Sequence, residues 1–490
     1  MKKQKSLKIN FIMNALLNMS SFIFPLIAFP YISRILLPQG VGKAAFAVSV
    51  ATFFSLFAQL GIPVYGIKAC AGVRDDKETL SRTVQEIVIL NAVTCFLSCL
   101  FYGICLSLVP GMQKDKILFL LVGLLIPLNM IGVEWLYQAL EQYSYITLRS
   151  MLFKAIAIIG MLVFIHKQED YILYGFLTVF ASSASNICNF IKLRQIISFR
   201  MFPKYNLRKH LRPILFFFAM SCAVTVYTSL GEMMLGLLSS SEQAGFYHTA
   251  ARIKSVMVSL ITALGDVLLP RAVYYVEQGL KEHFLTIVKQ AMHFVYIASP
   301  PLIIYILLFA PECISLLLGK SYTGTILPLR ILMPALILIG ISGVIGNQIL
   351  IPLGKERYVL YSELGGASAD VLLNILLIPS IGAAGAAIGA FSAEAVVLLI
   401  QLFYLNRLGI ITLRSLRPPA AMLQALLAGT ASCIWVKYIP LNEFFVILLS
   451  FILFFSVYAA GLFLKRDSLI YEYSKTICKN LRGRVQWKKD

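Results

Sequence analysis

Long apolar segments alternate with short polar segments along almost the whole chain. A helix needs about 20 predominantly apolar residues to cross the hydrocarbon core, so apolar runs of about 17–25 residues bounded by charges, Pro and Gly predict membrane spans. Fourteen spans are predicted, at 10–33, 43–67, 84–109, 116–138, 148–166, 170–192, 213–238, 246–270, 287–310, 326–350, 359–378, 382–405, 420–438 and 444–464. The pattern therefore predicts an all-α polytopic membrane protein with about 14 transmembrane helices.

A weak internal repeat divides these spans into two halves. Gly42 is followed by Leu60-Gly61 and then Pro63, and Gly245 is followed at nearly the same spacing by Leu264-Gly265 and then Pro270. Spans 1–2 would thus correspond to spans 7–8, as in transporters built from parallel repeats, although a chance coincidence of glycines remains an alternative. The predicted domains are a six-helix bundle at 1–192, a basic cytoplasmic linker at 193–212, a six-helix bundle at 213–405, two further helices at 406–464 and a basic cytoplasmic tail at 465–490.

The composition agrees with this architecture. Hydrophobic residues make up 59% of the 490 positions and charged residues 13%, whereas soluble domains carry about 25% charged residues. Cutting the chain into spans leaves no segment long enough for a soluble domain. The apolar run from Phe11 to Ile32 is too long for a signal peptide and is predicted to be the first span.

The net charge of +20 could indicate nucleic-acid binding, but its distribution favours membrane orientation. Lys and Arg concentrate in every second loop, including the stretch 192–212 with its seven cations, while the intervening loops carry few. Short loops rich in Lys and Arg stay on the cytoplasmic side. Both termini are therefore predicted to be cytoplasmic, and no nucleic-acid partner is expected.

Charged residues inside spans are the candidates for chemistry, because each costs about 2.5–3.5 kcal/mol at a helix centre on the insertion scale. The candidate cations are Arg34 and Lys43 beside the first turn, Lys154 in span 5, and Arg252 and Lys254 in span 8. A cationic cavity would attract pyrophosphate and acidic sugars. Snorkelling at a span end is the alternative, most of all for Lys43, Lys154 and Lys254.

Acidic residues also occur within the spans. They are Glu134, Glu232, Asp266, Glu363, Asp370 and Glu394. Asp370 lies one helical turn before Asn374, so the two side chains could share a face and bind a cation or a proton. The alternatives for Asp370 are a polar contact between helices or a salt bridge to Arg252.

No constellation of enzyme residues is found. The stretch Gly319-Lys320-Ser321 resembles a phosphate-binding loop, but position 314 is Ile where that motif needs Gly. The five histidines and nine cysteines lack metal-ligand spacing, and most cysteines are expected to be small buried hydrophobes. The sequence predicts neither an enzyme nor a bound cofactor or metal.

Six stretches, in order along the chain, resemble one family. They are PYISR at 30–34, GVEWLYQALEQY at 132–143, LLSSSEQAGFYHTAARI at 237–253, LLPRAVYY at 268–275, LLGKSY at 317–322 and LNILLIPSIGAAGAAIGAFSAE at 373–394. They are similar to the bacterial polysaccharide flippases, which move lipid-linked repeat units of O-antigen, capsule or exopolysaccharide. This branch shares a superfamily with the multidrug exporters and the lipid II flippases.

The resemblance implies two six-helix bundles around a central cavity plus two trailing helices, working by alternating access in the bacterial cytoplasmic membrane. Family members are thought to hold the sugar–pyrophosphate head of a polyprenol carrier in a cationic cavity while the lipid tail stays in the bilayer. On this basis Arg34, Arg252 and Lys254 would bind the head group, with Lys43 and Lys154 as further candidates. Membrane lipids and the polysaccharide polymerase are the other partners implied.

The chain departs from two branches of that superfamily. Lipid II flippases are rich in arginine along the first two helices, whereas span 1 here offers Asn14 and Asn18 and no cation before Arg34. Multidrug exporters typically carry an acidic residue in helix 1, and this chain has none there.

Lipid II flippases have a cation site on helices 7, 11 and 12, and this chain carries polar residues at positions that are compatible with such a site. They are Glu232, Asp370 and Asn374. Sodium or protons are thus candidate coupling ions. The alternatives from other classes are a drug or metabolite exporter, a membrane polysaccharide polymerase or ligase, and a structural or lipid-scrambling protein.

Overall fold

The computed structural model describes residues 7–200, 202–203, 205–409 and 420–465. In this part of the chain the regular secondary structure is entirely helical. The predicted C-terminal tail, apart from Lys465, and the loop residues Arg414 and Arg417 lie outside the described residues. The chain divides into unit 1, residues 1–248 and 370–386, and unit 2, residues 249–369 and 387–490. The predicted domain boundaries at 192 and 213 stay a prediction.

The described residues of the first half of the chain contain ten α-helices. They are α1 Leu7–Gln59, α2 Ile62–Ala71, α3 Lys77–Leu108, α4 Pro110–Gln113, α5 Lys116–Gly123, α6 Leu125–Gly132, α7 Glu134–Ala139, α8 Tyr143–Phe164, α9 Tyr171–Val179 and α10 Asn186–Ile196. A π-helical segment, Phe180–Ala184, precedes α10. Asp76 caps α3 by accepting a hydrogen bond from the backbone N–H of Glu78.

The part of the second half that the structure describes, 205–409 and 420–465, contains eight more α-helices. They are α11 Arg208–Leu238, α12 Ser241–Glu277, α13 Lys281–Leu318, α14 Ile326–Leu332, α15 Ala335–Gly343, α16 Glu356–Leu408, α17 Ala420–Cys433 and α18 Glu443–Leu464. A second π-helical segment, Val344–Leu350, continues α15.

Nine helical stretches of the described residues are long and apolar enough to cross a membrane, and the bent pair at 320–350 makes a tenth. Two of them, Ile27–Ala71 and Glu356–Leu408, have 45 and 53 residues, about twice the length that one span needs. Both contain a break in helical geometry, at Leu37 and Gly382. The count is therefore consistent with fourteen predicted spans.

Polar side chains hold the helices of unit 1 together. On one face of α3, Asn91 Nδ2 and Thr94 Oγ1 both donate hydrogen bonds to the carbonyl of Ala58 in α1, and Ser98 Oγ donates to the carbonyl of Phe54 at 2.6 Å. The other face exposes large apolar side chains, which are Phe96, Leu100, Phe101 and Ile104. Lipid is as apolar as these side chains, so close packing and interhelical hydrogen bonds, rather than the hydrophobic effect, hold spanning helices together.

The two glycines of the sequence repeat lie against each other in unit 1. A Cβ atom built on Gly42 would lie 2.6 Å from the backbone nitrogen of Gly245 and even closer to the carbonyl of Ser241. A Cβ atom on Gly245 would in turn overlap the backbone of Pro38. Only glycine allows α1 and the beginning of α12 to approach this closely.

Unit 2 has its own apolar core between α12, α13, the second π-helical segment and the last part of α16. The helix α18 is tied to α13 by two tyrosines. Tyr305 Oη donates to the carbonyl of Ile447 at 3.1 Å, and Tyr458 Oη donates to the carbonyl of Ile297 at 2.8 Å. These bonds satisfy polar groups that would be costly in lipid.

Candidate functional site

Two cations of α8, a helix long and apolar enough to cross a membrane, lie within unit 1. Lys154 Nζ donates a hydrogen bond to Ser20 Oγ of α1 at 2.9 Å. Arg149, one and a half turns earlier, is 7% exposed and donates through Nη1 to the carbonyl of Ser185 at 2.9 Å. Its Nη2 lies 3.4 Å from Oε2 of Glu134, whose charge also acts on Lys154. These residues define the cationic cluster: Arg149, Lys154, Ser20 and Glu134.

The backbone around the cluster departs from regular helix in two places. Val133, between α6 and α7, has φ 37° and ψ 36°, in the left-handed region that a β-branched residue rarely adopts. This break places Glu134 at the first position of α7. The π-helical segment before α10 changes the hydrogen-bond register, and the carbonyl of Ser185 directly after it is the one that accepts from Arg149.

A seam of uncharged polar groups is built on α1, α6, the first π-helical segment and α10. Asn129 Oδ1 accepts a hydrogen bond from Ser183 Oγ at 2.9 Å, while its Nδ2 donates to Ser55 Oγ at 3.1 Å. Asn189 Nδ2 donates to the carbonyl of Gly132 at 2.7 Å. Buried amides and hydroxyls of this kind can exchange partners with sugar hydroxyls, because both groups donate and accept.

Lys43 and Arg34, the two predicted cations beside the first turn, have different surroundings. Lys43 Nζ forms a 2.9 Å ion pair with Asp115, which also accepts a 2.6 Å hydrogen bond from Tyr171 Oη. Arg34 is exposed and lies one turn before the break at Leu37. Their binding roles remain predictions.

The acidic residues predicted to bind an ion lie in α11 and α16. Glu232 Oε1 is 2.8 Å from His248 Nδ1, a pairing that the sequence did not indicate. Asp370 and Asn374 are 1% and 0% exposed, one turn apart in α16. Among the described residues, neither Oδ1 nor Nδ2 of Asn374 has a hydrogen-bond partner. Buried amides usually have hydrogen-bond partners, so Asn374 is unusual. The ion-binding roles of Glu232, Asp370 and Asn374 stay a prediction.

The predicted cations of unit 2 are on α12. Arg252 and Lys254 are half-buried, and Lys254 interacts electrostatically with Glu394 of α16, which is 7% exposed. Within the described ranges, no group of three His, Cys, Asp or Glu side chains could hold a metal ion.

Sequence reasoning selected Lys154 but missed Arg149 and Ser20. Arg149 is near the beginning of predicted span 5, where a cation is expected to snorkel to the interface. A usable signal was the presence of an acidic residue, Glu134, in the preceding span. The hydroxyl of Ser20 gave no signal, since serine is common in spanning helices.

Comparisons with known proteins agree on a family and a fold. A family model described as polysaccharide biosynthesis protein matches residues 7–276. The chain is 22% identical over 411 residues to a protein of Escherichia coli (strain K12) named "Putative O-antigen transporter", covering 82% of this chain and 97% of that protein.

Solved structures extend the likeness to nearly the whole chain. A lipid II flippase, MurJ, in an inward closed conformation has a TM-score of 0.72 at 14% identity and covers 94% of this chain and 100% of that one. An inward-facing multidrug resistance MATE family transporter of the MOP superfamily has a TM-score of 0.60 at 15% identity, covering 81% and 98%. At these identities the likeness shows a shared fold.

Proposed function

The chain belongs to the polysaccharide biosynthesis protein family, and on that premise we propose that it is a flippase for lipid-linked oligosaccharides. Its substrate would be a repeat unit linked to a polyprenyl carrier through pyrophosphate. It would move this substrate from the cytoplasmic to the outer leaflet of a bacterial inner membrane, by alternating access and with both termini in the cytoplasm. The repeat unit would then enter a surface polysaccharide.

The observation that carries the proposal is the cationic cluster on α8, a helix long and apolar enough to cross a membrane. A charge inside a spanning helix costs free energy, so Arg149 and Lys154 need a compensating role. Guanidinium and ammonium groups bind phosphate oxygens, and Arg does so through two parallel hydrogen bonds. A pyrophosphate is therefore a fitting ligand for this place in the molecule.

The substrate explains why the protein needs a polar interior. Moving a sugar hydroxyl into hydrocarbon without a hydrogen bond costs a few kcal/mol, and a bare phosphate costs far more. The seam around Asn129 and Ser183 offers amides and hydroxyls to replace water, while the prenyl tail can stay in lipid. Arg34, Lys43, Arg252 and Lys254 are proposed as further contacts of the head group.

The remaining parts of the proposal concern energy and chemistry. Asp370, Asn374 and Glu232 are proposed to bind a coupling ion, either sodium or a proton. The relatives with a stated activity are transporters or flippases, which favours transport without bond cleavage over a polymerase or ligase. Association with a polysaccharide polymerase is a further expectation.

Deleting the gene from its host tests the proposal. We expect lipid-linked repeat units to accumulate in the cytoplasmic leaflet, where added glycosidases cannot reach them in intact cells, and surface polysaccharide to fall. Expression of the wild-type chain should restore both. Unchanged surface glycan without accumulation would contradict the proposal, and increased drug sensitivity alone would support an exporter instead.

A matched pair of variants links this phenotype to the cluster. Removing one charge-assisted hydrogen bond of about 1.5–3 kcal/mol corresponds to a roughly 10- to 100-fold loss of affinity. Lys154→Ala should therefore restore surface polysaccharide poorly at normal protein level. Arg74→Gln, which removes a cation from the exposed ion pair with Glu141, should complement like the wild type.

A further inference from the structure

Glu134 occupies the place where a substrate anion would be expected. Its carboxylate pairs with Arg149 and acts electrostatically on Lys154. We propose that Arg149, Lys154 and Ser20 form a diphosphate-binding subsite, and that Glu134 is its internal competitor. The carboxylate neutralises the cations in the empty protein and is displaced when the substrate diphosphate binds. This inference rests on the proposed function, because it names the groups that would recognise the substrate.

The charges of the cluster favour such an exchange. Arg149 and Lys154 carry two positive charges and Glu134 carries one negative charge, so these three groups have one positive charge in excess. A diphosphate brings at least two negative charges and would balance both cations, whereas one carboxylate cannot.

The hydrogen bonds show that Arg149 is held firmly and Glu134 loosely. Nη1 of Arg149 is fixed by the carbonyl of Ser185 at 2.9 Å, whereas the distance from Nη2 to Glu134 is 3.4 Å. A well-formed charge-assisted bond is about 2.7–2.9 Å long. Within the described part of the chain the buried Nε of Arg149 has no hydrogen-bond partner. The guanidinium therefore keeps donor capacity for a second ligand.

Solvent exposure also indicates that Arg149 is held more firmly than Glu134. The side chain of Arg149 is 5% exposed and that of Glu134 is 39% exposed. The second contact of Glu134, a hydrogen bond donated by Gln138 Nε2, is 3.3 Å long. An exposed carboxylate held by two long contacts can leave the guanidinium at low cost, because water can hydrate it.

The backbone before Glu134 explains how the carboxylate comes to lie there. Val133 holds φ 37°, a conformation that costs about 1–3 kcal/mol for a non-glycine residue. Gly132 packs against the side chain of Asn186, where a Cβ atom would be 2.6 Å from its Cγ. Strained backbone of this kind persists where the surrounding contacts require it. The strained break aims Glu134 at Arg149 and makes it a fitting competitor.

Binding of inorganic pyrophosphate to the full-length protein in nanodiscs, followed by calorimetry, tests the inference. Glu134→Gln removes the competing charge and keeps the shape, so we expect its affinity to be about tenfold higher than that of the wild type. A purely structural carboxylate would give no gain. Glu134→Asp, which retains the charge, should bind like the wild type or between the two.

The controls use residues of the same type. Glu141→Gln removes a carboxylate from the exposed ion pair with Arg74 and should leave the affinity unchanged. Adding Arg149→Gln to Glu134→Gln should abolish the gain. The inference would be overturned if Glu134→Gln bound pyrophosphate no more tightly than the wild type. It would also be overturned if neither the wild type nor any variant bound pyrophosphate.

The outcome for the proposed function is read separately. If gene deletion leaves lipid-linked repeat units normally distributed, the flippase proposal fails whatever the pyrophosphate affinities are. If deletion traps the repeat units but Glu134→Gln binds no more tightly than wild type, only the competitor role of Glu134 fails.

Discussion

Lys154 keeps an ammonium group inside a spanning helix with a serine hydroxyl as its hydrogen-bond acceptor. The nearby carboxylate of Glu134, whose side chain is 39% exposed, also acts on this charge. Desolvation of an ammonium group costs several kcal/mol, which such contacts repay only when their geometry is excellent. A residue that served stability alone would be better replaced by an apolar side chain of the same length. The cation is therefore expected to serve binding at the expense of stability.

Lys154→Met tests whether Lys154 serves substrate binding at the expense of stability. Methionine keeps an unbranched side chain of similar length and removes the charge, so we expect the melting temperature in detergent to stay equal to that of the wild type or to rise. Surface polysaccharide should fall nonetheless. A lower melting temperature together with normal polysaccharide would mean that Lys154 has a structural role.

His210 gives a pH-dependent contribution outside the membrane spans. Its Nε2 lies 2.9 Å from Oε2 of Glu86, and its Nδ1 lies 2.6 Å from Tyr65 Oη, so the neutral ring can donate to the first and accept from the second. The positive charges of Lys209 and Arg82 already face the same carboxylate. Burial lowers the pKa of His210 below its usual 6.5.

A lowered pKa means that the unfolded chain takes up a proton before the folded protein does. The contribution of His210 to stability is therefore complete above about pH 6.5 and is lost as the pH falls through the folded pKa. Between pH 7.5 and pH 5.5 we expect the melting temperature of the wild type to fall more than that of His210→Gln. Equal decreases in the two proteins would contradict this assignment.

The cluster shows how far single residues could be predicted. Lys154 stood out because it is a cation deep in an apolar run, and Glu134 was noted among the acidic residues. Their association with Arg149 and Ser20 depends on how α1, α7 and α8 pack. Residue spacing within one helix carries no information about that packing.

At the scale of helices, one break lies where the sequence predicts it and another was not predicted. A turn was expected between spans 1 and 2, at 34–42, and the helix α1 breaks within this range at Leu37, with φ 56°. Span 4 was predicted as one helix, but it is divided into α5, α6 and α7. The break at Val133 was not predictable, because valine disfavours this conformation and only the surrounding packing requires it. The π-helical segments likewise lack a sequence signature.

The two repeat glycines are an element-scale feature that the sequence singled out, and the correspondence of spans 1–2 with spans 7–8 stays a prediction. Their equivalence followed from spacing alone, and the structure places the backbones of Gly42 and Gly245 in contact. We expect Gly42→Ala to force α1 and α12 apart and to destabilise the protein by about 1–3 kcal/mol, as overpacking does. Thermal unfolding in detergent measures this effect.

Gly103→Ala on α3 is the matched control, since a Cβ atom there meets nothing within 4 Å. Alanine also favours helix over glycine by about 1 kcal/mol. The control should therefore be as stable as the wild type or more so. If Gly42→Ala were as stable as the wild type, α1 and α12 would not be in close contact at Gly42.

At the scale of the whole molecule, the resemblance read from six sequence stretches is confirmed by the family match and the relatives. The all-α membrane fold is also confirmed, with MurJ and MATE transporters sharing it. Membership in this family could be predicted because motif order survives along a chain of spans. The substrate's sugars could not be, since they depend on side chains from separate helices.

Energy coupling is a property of the complete transporter. If Asp370 and Asn374 bind the coupling ion, imposing a sodium or proton gradient across proteoliposomes should accelerate substrate movement by the wild type. Asp370→Asn should move substrate at one slow rate with and without the gradient. If neither gradient changed the transport rate of the wild type, Asp370 and Asn374 would not bind a coupling ion.

The central claim is that this chain carries a pyrophosphate-linked glycan across a bilayer and uses its buried cations to do so. Purified protein in liposomes that contain a labelled polyprenyl-pyrophosphate oligosaccharide tests this directly, with an added glycosidase reporting the fraction exposed outside. We expect the wild type to expose nearly all of the label, while Lys154→Met exposes only the outer half, as in protein-free liposomes. The account would be contradicted if half of the label stayed protected from the glycosidase with the wild type. It would also be contradicted if Lys154→Met exposed the label as fast as the wild type does.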